Sequence, residues 1–207
     1  MAEDIWGVLI GIIIIGKMQN QPQTASDNAL RAGRPKARGL LPDYFADAVA
    51  DINFDVLRER GVRYLVLDVD HTLAVYNSLE LEKPTMDFLC SLRERGVVDG
   101  IVIASNSRRD LRPMAASIDA QVVRPGRTQR KPSKAFYTRV LDIIECRPEE
   151  AVMVGDKMFN DIWGGNRVGM YTILVKPIGP DVLLDRVMMR RLIGERYLQR
   201  RGGRRAG

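Results

Sequence analysis

Short, unbroken apolar runs alternate with longer stretches of helical period through the middle of the chain. The runs RYLVLDV (63–69), IVIAS (101–105), AVMVG (151–155) and YTILV (171–175) are brief and rich in β-branched residues, so they predict buried strands. AQVV, around Val122, reads as a further short strand. Between the runs, PTMDFLCSLRERG, RRDLRPMAASI, SKAFYTRVLDII and NDIWGGNRVG read as helices, with Pro84 suited to a first turn and Gly96 to a stop. Short apolar strands alternating with helices predict an α/β fold of Rossmann-like type, a parallel sheet with helices on both faces. Ligands of such sheets bind outside the carboxyl ends of the strands. The polar residues there are Asp68 and Asp70, Ser105 and Asn106, and Asp156.

The same pattern divides the chain into three segments. Residues 1–39 hold the apolar stretch IWGVLIGIIIIG, from Ile5 to Gly16, then a polar stretch without apolar period that reads as a flexible linker. A spanning helix needs about 20 apolar residues, so this stretch falls short. Glu3 and Asp4 precede it where a secretory leader would carry Lys or Arg. It reads as a shallow membrane anchor, an interaction segment, or an upstream stretch without a role. Residues 40–180 form the folded domain. In residues 181–207, Leu183, Val187, Leu192 and Tyr197 recur among arginines, which predicts a basic amphipathic helix followed by a disordered tail. Such a helix can lie on an anionic bilayer; packing against the domain with a solvated basic face is the plainer alternative.

Charge and composition narrow the chemistry. A formal net charge of +6 favours anionic partners: phosphate esters, nucleic acid or an acidic membrane. His71 is the only histidine, which argues against histidine-phosphate chemistry, a Ser-His-Asp triad and a His-rich zinc site. Cys90 and Cys146 have no ligand-like spacing and suit a reducing compartment better than a disulfide framework. The expected location is cytoplasmic, with peripheral contact on the inner face of the membrane as an extension. A metal would therefore take oxygen ligands, which suit magnesium.

Asp68-Val69-Asp70-His71-Thr72-Leu73 places two carboxylates two residues apart as a strand ends. Alone this is a weak signal. It gains weight from Ser105 ending the second strand, Lys131-Pro132 downstream, and Gly155-Asp156 with Asp161 five residues beyond. In that order the four elements resemble the motifs of the haloacid-dehalogenase-like (HAD) phosphatases. LLPDYFADAVADINFDVLRERGVRYLVLDVDHTL further resembles the YqeG-type branch, in the capless subfamily IIIA, which is similar to the phosphatidylglycerophosphate phosphatases. The likeness runs from Leu40 to about Pro177.

The resemblance implies roles that the chemistry makes reasonable. Phosphate monoesters hydrolyse so slowly that enzymes accelerate the reaction by up to ~10²¹-fold. Asp68 would be the nucleophile, forming an aspartyl-phosphate, and Asp70 the general acid and base. Magnesium would sit between Asp68, the main chain of Asp70 and Asp156. Ser105 and the Asn106 backbone would bind phosphoryl oxygens, and Lys131 would balance charge in the transition state. Asp161 would orient a metal water or Lys131, or only cap its helix. Lys134, on the next helix, is the rival of Lys131. His71 stands where the wider family commonly has Gly or Asn, a departure that bears on loop shape. Thr72 would bond backbone in the turn. Ser107, Arg108 and Arg109 could touch substrate, but a helix-start serine followed by solvated arginines is the plainer reading.

Neither interval between motifs can hold a separately folded cap, which would need tens of residues. An open site suits a large phosphorylated partner, here a lipid headgroup, and Arg124, Arg127 and Arg130 could hold a second phosphate. The first function expected is removal of the terminal phosphate of phosphatidylglycerophosphate; a soluble or macromolecular phosphate is the alternative. A nucleic-acid-binding protein with an idle site ranks lowest, since no base-stacking aromatic motif is visible. A receiver-like phosphotransfer domain fits the Asp70 and Asp161 spacings less well.

Overall fold

The computed structural model describes residues 39–179. The apolar stretch at 5–16, nearly all of the linker and the basic stretch at 181–207 lie outside the described residues. Six parallel strands form one sheet: β1 (Tyr44–Ala46), β2 (Tyr64–Leu67), β3 (Gly100–Ala104), β4 (Gln121–Val123), β5 (Ala151–Gly155) and β6 (Tyr171–Val175). Their order is β1-β6-β5-β2-β3-β4. The α-helices among the described residues are α1 (Phe54–Glu59), α2 (Lys83–Glu94), α3 (Arg112–Ala116), α4 (Lys134–Ile144) and α5 (Gly164–Val168). Among the described residues, no second domain interrupts this alternation.

The four inner strands, β6, β5, β2 and β3, are buried because their runs are apolar on both faces, as a sheet covered on both sides requires. Every residue of β5 and β6 is buried, as are Leu65, Val66 and Leu67 of β2. Helix α4 covers one face of the sheet's core cluster. Ser133 caps its start, its hydroxyl accepting the Phe136 N–H at 3.2 Å. Glu145 ends it in the left-handed conformation, at φ 49°. Phe136, Tyr137, Val140, Leu141 and Ile144 face inward and cluster with Val66, Val102, Ala104 and Met153.

β2 lies at the centre, and the chain winds outward from it in both directions. It runs through β3 and β4 to one edge, then returns to place β5 on the other side of β2. The loops after β2 and β5 therefore leave in opposite directions and open a crevice between them, the place where such sheets bind ligands. Asp68 extends the pairing of the two strands, its N–H donating to the Val154 carbonyl at 3.0 Å.

The sequence predicts five strands, and the described residues form six. β1 was missed, as was α1. The expected helix at 160–169 begins earlier, as a π-helical turn from Met158 to Trp163 that passes into α5.

Candidate active site

The loop after β2 is a tight turn in which the N–H groups of Leu73 and Ala74 both donate to the Val69 carbonyl, at 3.0 and 3.2 Å. His71 sits in it at φ 65°, a left-handed conformation that glycine and asparagine adopt most readily. Its ring is buried; Nδ1 lies 2.8 Å from the Ile178 carbonyl, and the Ile178 N–H donates to the His71 carbonyl at 2.7 Å. His71 thus ties this turn to the segment after β6. Its Nε2 is buried without a partner.

Asp68, Asp156 and Asp161 converge, each offering a carboxylate oxygen within 4.8 Å of the others. Lys131 reaches the same point from the loop before α4. Its Nζ donates to Asp68 Oδ1 at 2.7 Å and to Asp161 Oδ1 at 2.6 Å, with all three side chains buried. Lys134, by contrast, is exposed at the first position of α4. Asn106 holds the Lys131 peptide by a pair of bonds: its Oδ1 accepts the Lys131 N–H at 2.9 Å, and its Nδ2 donates to the Lys131 carbonyl at 3.0 Å. Ser105 is buried, and its hydroxyl accepts the Ser107 N–H at 3.2 Å.

Asp161 has both oxygens engaged, Oδ1 by Lys131 and Oδ2 by the Lys157 N–H at 3.0 Å. It therefore both caps the π-helical turn and orients Lys131. Asp156 is less restrained; Thr72 Oγ1 donates to it at 3.2 Å, a side-chain contact where a backbone bond was expected. Three carboxylates against one ammonium leave the cluster short of positive charge. Burial, then the charge of Asp161, push the Asp156 carboxyl up to about 8. Burial also raises Asp161, to about 6, against the pull of Lys131. Burial works against the Lys131 ammonium, but Asp161 and Asp68 outweigh it and hold the group charged.

These shifts give a signed pH dependence. Carboxyls whose folded pKa exceeds the unfolded 3.8 bind protons more tightly in the fold. Stability then falls as pH rises from about 5 to 8 in the metal-free protein. A divalent cation held at Asp156 would take the place of that proton, so adding one should reverse the decline and release a proton near neutral pH. Urea midpoints across that range, with EDTA or with magnesium, would show this; a flat EDTA series would contradict the charge imbalance.

Arg109 corrects the sequence reading. It is nearly buried rather than solvated, and grips Asp70 with two bonds, Nη1 to Oδ2 at 3.1 Å and Nη2 to Oδ1 at 2.7 Å. The Asn77 N–H donates to Asp70 Oδ1 at 2.9 Å as well. Burial pushes the Asp70 carboxyl up, but Arg109 and this N–H together hold it below its ordinary value. No sequence pattern distinguishes Arg109 from Arg108, which is exposed. The arginines before Lys131 are all exposed; Arg124 is tied to Asp110, and Arg130 Nη2 donates to the Asn106 carbonyl at 3.3 Å.

Gly155, the last residue of β5, lies so close to Asp161 that an added Cβ would fall 2.3 Å from Oδ2. Gly155→Ala should therefore displace Asp161 and loosen Lys131. The expected cost is about 1–3 kcal/mol in stability and roughly 100-fold in turnover, read by urea melts and phosphate release. A variant matching wild type in both would mean that Asp161 is free to move without consequence.

Carboxylates at the carboxyl ends of the central strands β2 and β5, met by a lysine from the loop before α4, suit the handling of a phosphate group. Comparison with known proteins agrees. A family model described as HAD-hydrolase-like matches residues 128–177. The chain is 29% identical over 139 residues to the probable phosphatase YqeG of Bacillus subtilis (strain 168), covering 67% of this chain and 78% of that protein. It is also 29% identical over 155 residues to phosphatidylglycerophosphate phosphatase 1, chloroplastic/mitochondrial, of Arabidopsis thaliana, covering 67% of this chain and 41% of that protein. A phospholysine phosphohistidine inorganic pyrophosphate phosphatase of Xenopus laevis is 27% identical over 137 residues, 66% of this chain and 48% of that protein. The chain thus spans less than half the length of the last two. By these matches the chain is similar to the haloacid-dehalogenase-like hydrolases, and it is an enzyme of the phosphatase type.

Proposed function

We propose that the chain is a magnesium-dependent phosphomonoester hydrolase that works through an aspartyl-phosphate and takes phosphatidylglycerophosphate to phosphatidylglycerol. The observation that carries the chemistry is Lys131 bridging Asp68 and Asp161 beside Asp156, at the mouth of the crevice between β2 and β5. An all-oxygen donor set with an excess of carboxylate fits a hard divalent cation. Asp68, Asp156 and the main chain of Asp70 would hold magnesium, which when bound neutralises the repulsion between Asp68 and a phosphate dianion and orients the phosphoryl group.

The chain's own residues do the rest. The free oxygen of Asp68 attacks phosphorus as the ester oxygen leaves, and Asp70 gives that oxygen its proton. Asp70 then takes a proton from the water that attacks the same phosphorus, and Asp68 is released with inorganic phosphate. Proton delivery requires Arg109 to loosen its grip as substrate enters. Ser105 and the Asn106 backbone hold the phosphoryl oxygens, and Lys131, fixed by Asp161, balances the charge that develops on them.

Three observations support the lipid substrate. The Arabidopsis relative is named for phosphatidylglycerophosphate. No cap covers the crevice among the described residues. Arg127 and Arg130 flank it with exposed charge that a phosphodiester could engage. The test is magnesium-dependent phosphate release from phosphatidylglycerophosphate in mixed micelles, beside a soluble aryl phosphate. Release from the lipid, abolished by EDTA, supports the reading. Turnover of the aryl phosphate alone would keep the phosphatase and move the substrate to a soluble or macromolecular ester.

A further inference from the structure

The rim of the crevice is divided by chemistry, and the division follows the sheet. Six large apolar residues are exposed among those described, and five of them belong to segments that leave the carboxyl ends of β2, β5 and β6. Val75, Tyr76 and Leu79 lie on the loop after β2, Phe159 on the turn after β5, and Ile178 just beyond β6. Tyr76 is 68% exposed, Leu79 60% and Phe159 49%, values at which these side chains gain little from the fold. Only Ile143 lies elsewhere; it borders a cavity of about 430 Å³ with Tyr64 and Gly100, at the amino ends of β2 and β3. On the other half of the rim, past β3 and β4, the exposed side chains include Arg108, Arg127 and Arg130.

The apolar half is also braced. Tyr76 stacks on His71 with ring centroids 5.7 Å apart, and Phe159 stacks on Trp163 at 4.6 Å. His71 is in turn bonded to Ile178. Exposed apolar side chains held by packed partners keep their outward position without the entropy cost of ordering on contact. Glu80 and Glu82 mark where the apolar stretch ends and α2 begins.

We infer that this rim is a docking surface for an anionic lipid bilayer, with Leu79 and Phe159 entering the acyl boundary while Arg108, Arg127 and Arg130 meet the headgroups. The inference rests on the phosphatase reading of the same crevice and adds where the substrate is met. Apolar residues beside arginines, on one face around an open site, match the two terms of interfacial binding: buried apolar area and attraction to anionic lipid. The arrangement lets a phosphate standing at headgroup level enter between β2 and β5 while its acyl chains stay in the membrane.

The test uses the full chain and sedimentation with vesicles of phosphatidylglycerol and phosphatidylcholine, or of phosphatidylcholine alone. Leu79→Ser/Phe159→Ser should weaken partitioning to the anionic vesicles by about tenfold and leave aryl phosphate hydrolysis within about twofold of wild type. Independently, the fluorescence added by Leu79→Trp should be quenched by brominated lipids in the anionic vesicles. Unchanged partitioning of the serine variant overturns the inference, and so does a Leu79→Trp signal that brominated lipids leave unquenched. A wild-type dimer that the serine variant abolishes would give the rim to a second copy and equally overturn it. Failure of wild type to hydrolyse the aryl phosphate would count against the phosphatase reading instead, with the vesicle result standing apart.

Discussion

Asp68→Asn is expected to lower magnesium-dependent turnover at least ~10⁴-fold while leaving the fold as stable as wild type, or more so. An asparagine keeps the shape of the side chain, and its carbonyl oxygen can still accept from Lys131, now 2.7 Å from Asp68 Oδ1. It cannot attack phosphorus as a carboxylate does. The substitution also removes one negative charge from a cluster that has too many, so the cause of the raised Asp156 and Asp161 carboxyls is partly relieved. Activity and stability should therefore move in opposite directions, the behaviour of a site that stores electrostatic strain for its chemistry. Phosphate release and urea unfolding on the same preparations read both. An asparagine variant within tenfold of wild-type turnover would place the nucleophile elsewhere.

Lys131→Met tests the same cluster from the opposite side. Removing the ammonium leaves Asp68 and Asp161 buried without their counter-ion, and breaking one partner out of a buried pair costs about 3–5 kcal/mol. That is a large part of the roughly 5–15 kcal/mol that a domain has in total. The loss should be greatest at pH 8 and shrink at pH 5, where the orphaned Asp161, already raised to about 6, can take up a proton instead. Adding Asp161→Asn should restore part of it, because the unpaired charge is then gone. Lys134→Met, at an exposed position, should change stability by less than about 0.5 kcal/mol. Urea midpoints at the two pH values decide the matter. Equal effects from the two lysines would dissolve the distinction between them.

Much of the fold was written in local pattern. The runs at 151–155 and 171–175 match β5 and β6 residue for residue, because a strand buried on both faces is apolar throughout. The strand expected at 63–69 is shorter as β2, since Val69 already turns the chain. β1 had no such signature. Its three residues, Tyr44–Ala46, become a strand only by pairing with Ile173, Leu174 and Val175, more than a hundred positions away. At the site, Asp68, Lys131, Asp156 and Asp161 were legible only as a set, because their order and spacing resemble a known family's motifs. Arg109 was not. Its partner Asp70 is 39 positions distant, and the folded course of two loops alone separates it from Arg108. The side-chain clasp of Asn106 on Lys131 is of the same kind, a contact made by tertiary geometry between residues 25 apart.

The central place of β5 bears on how the chain is made. The segments of β2, β3 and β4 leave the ribosome before β5 and can pair among themselves, but β2 then keeps one unpaired apolar edge. Nothing emerging before residue 151 can close it, because its partner on that side is β5. The nascent chain must therefore carry an open strand edge, a template for joining other chains, through the whole of α4. The strand that seals this edge ends at Gly155 and leads directly into Asp156. Protection from aggregation and completion of the carboxylate cluster thus arrive together, within a few residues of synthesis.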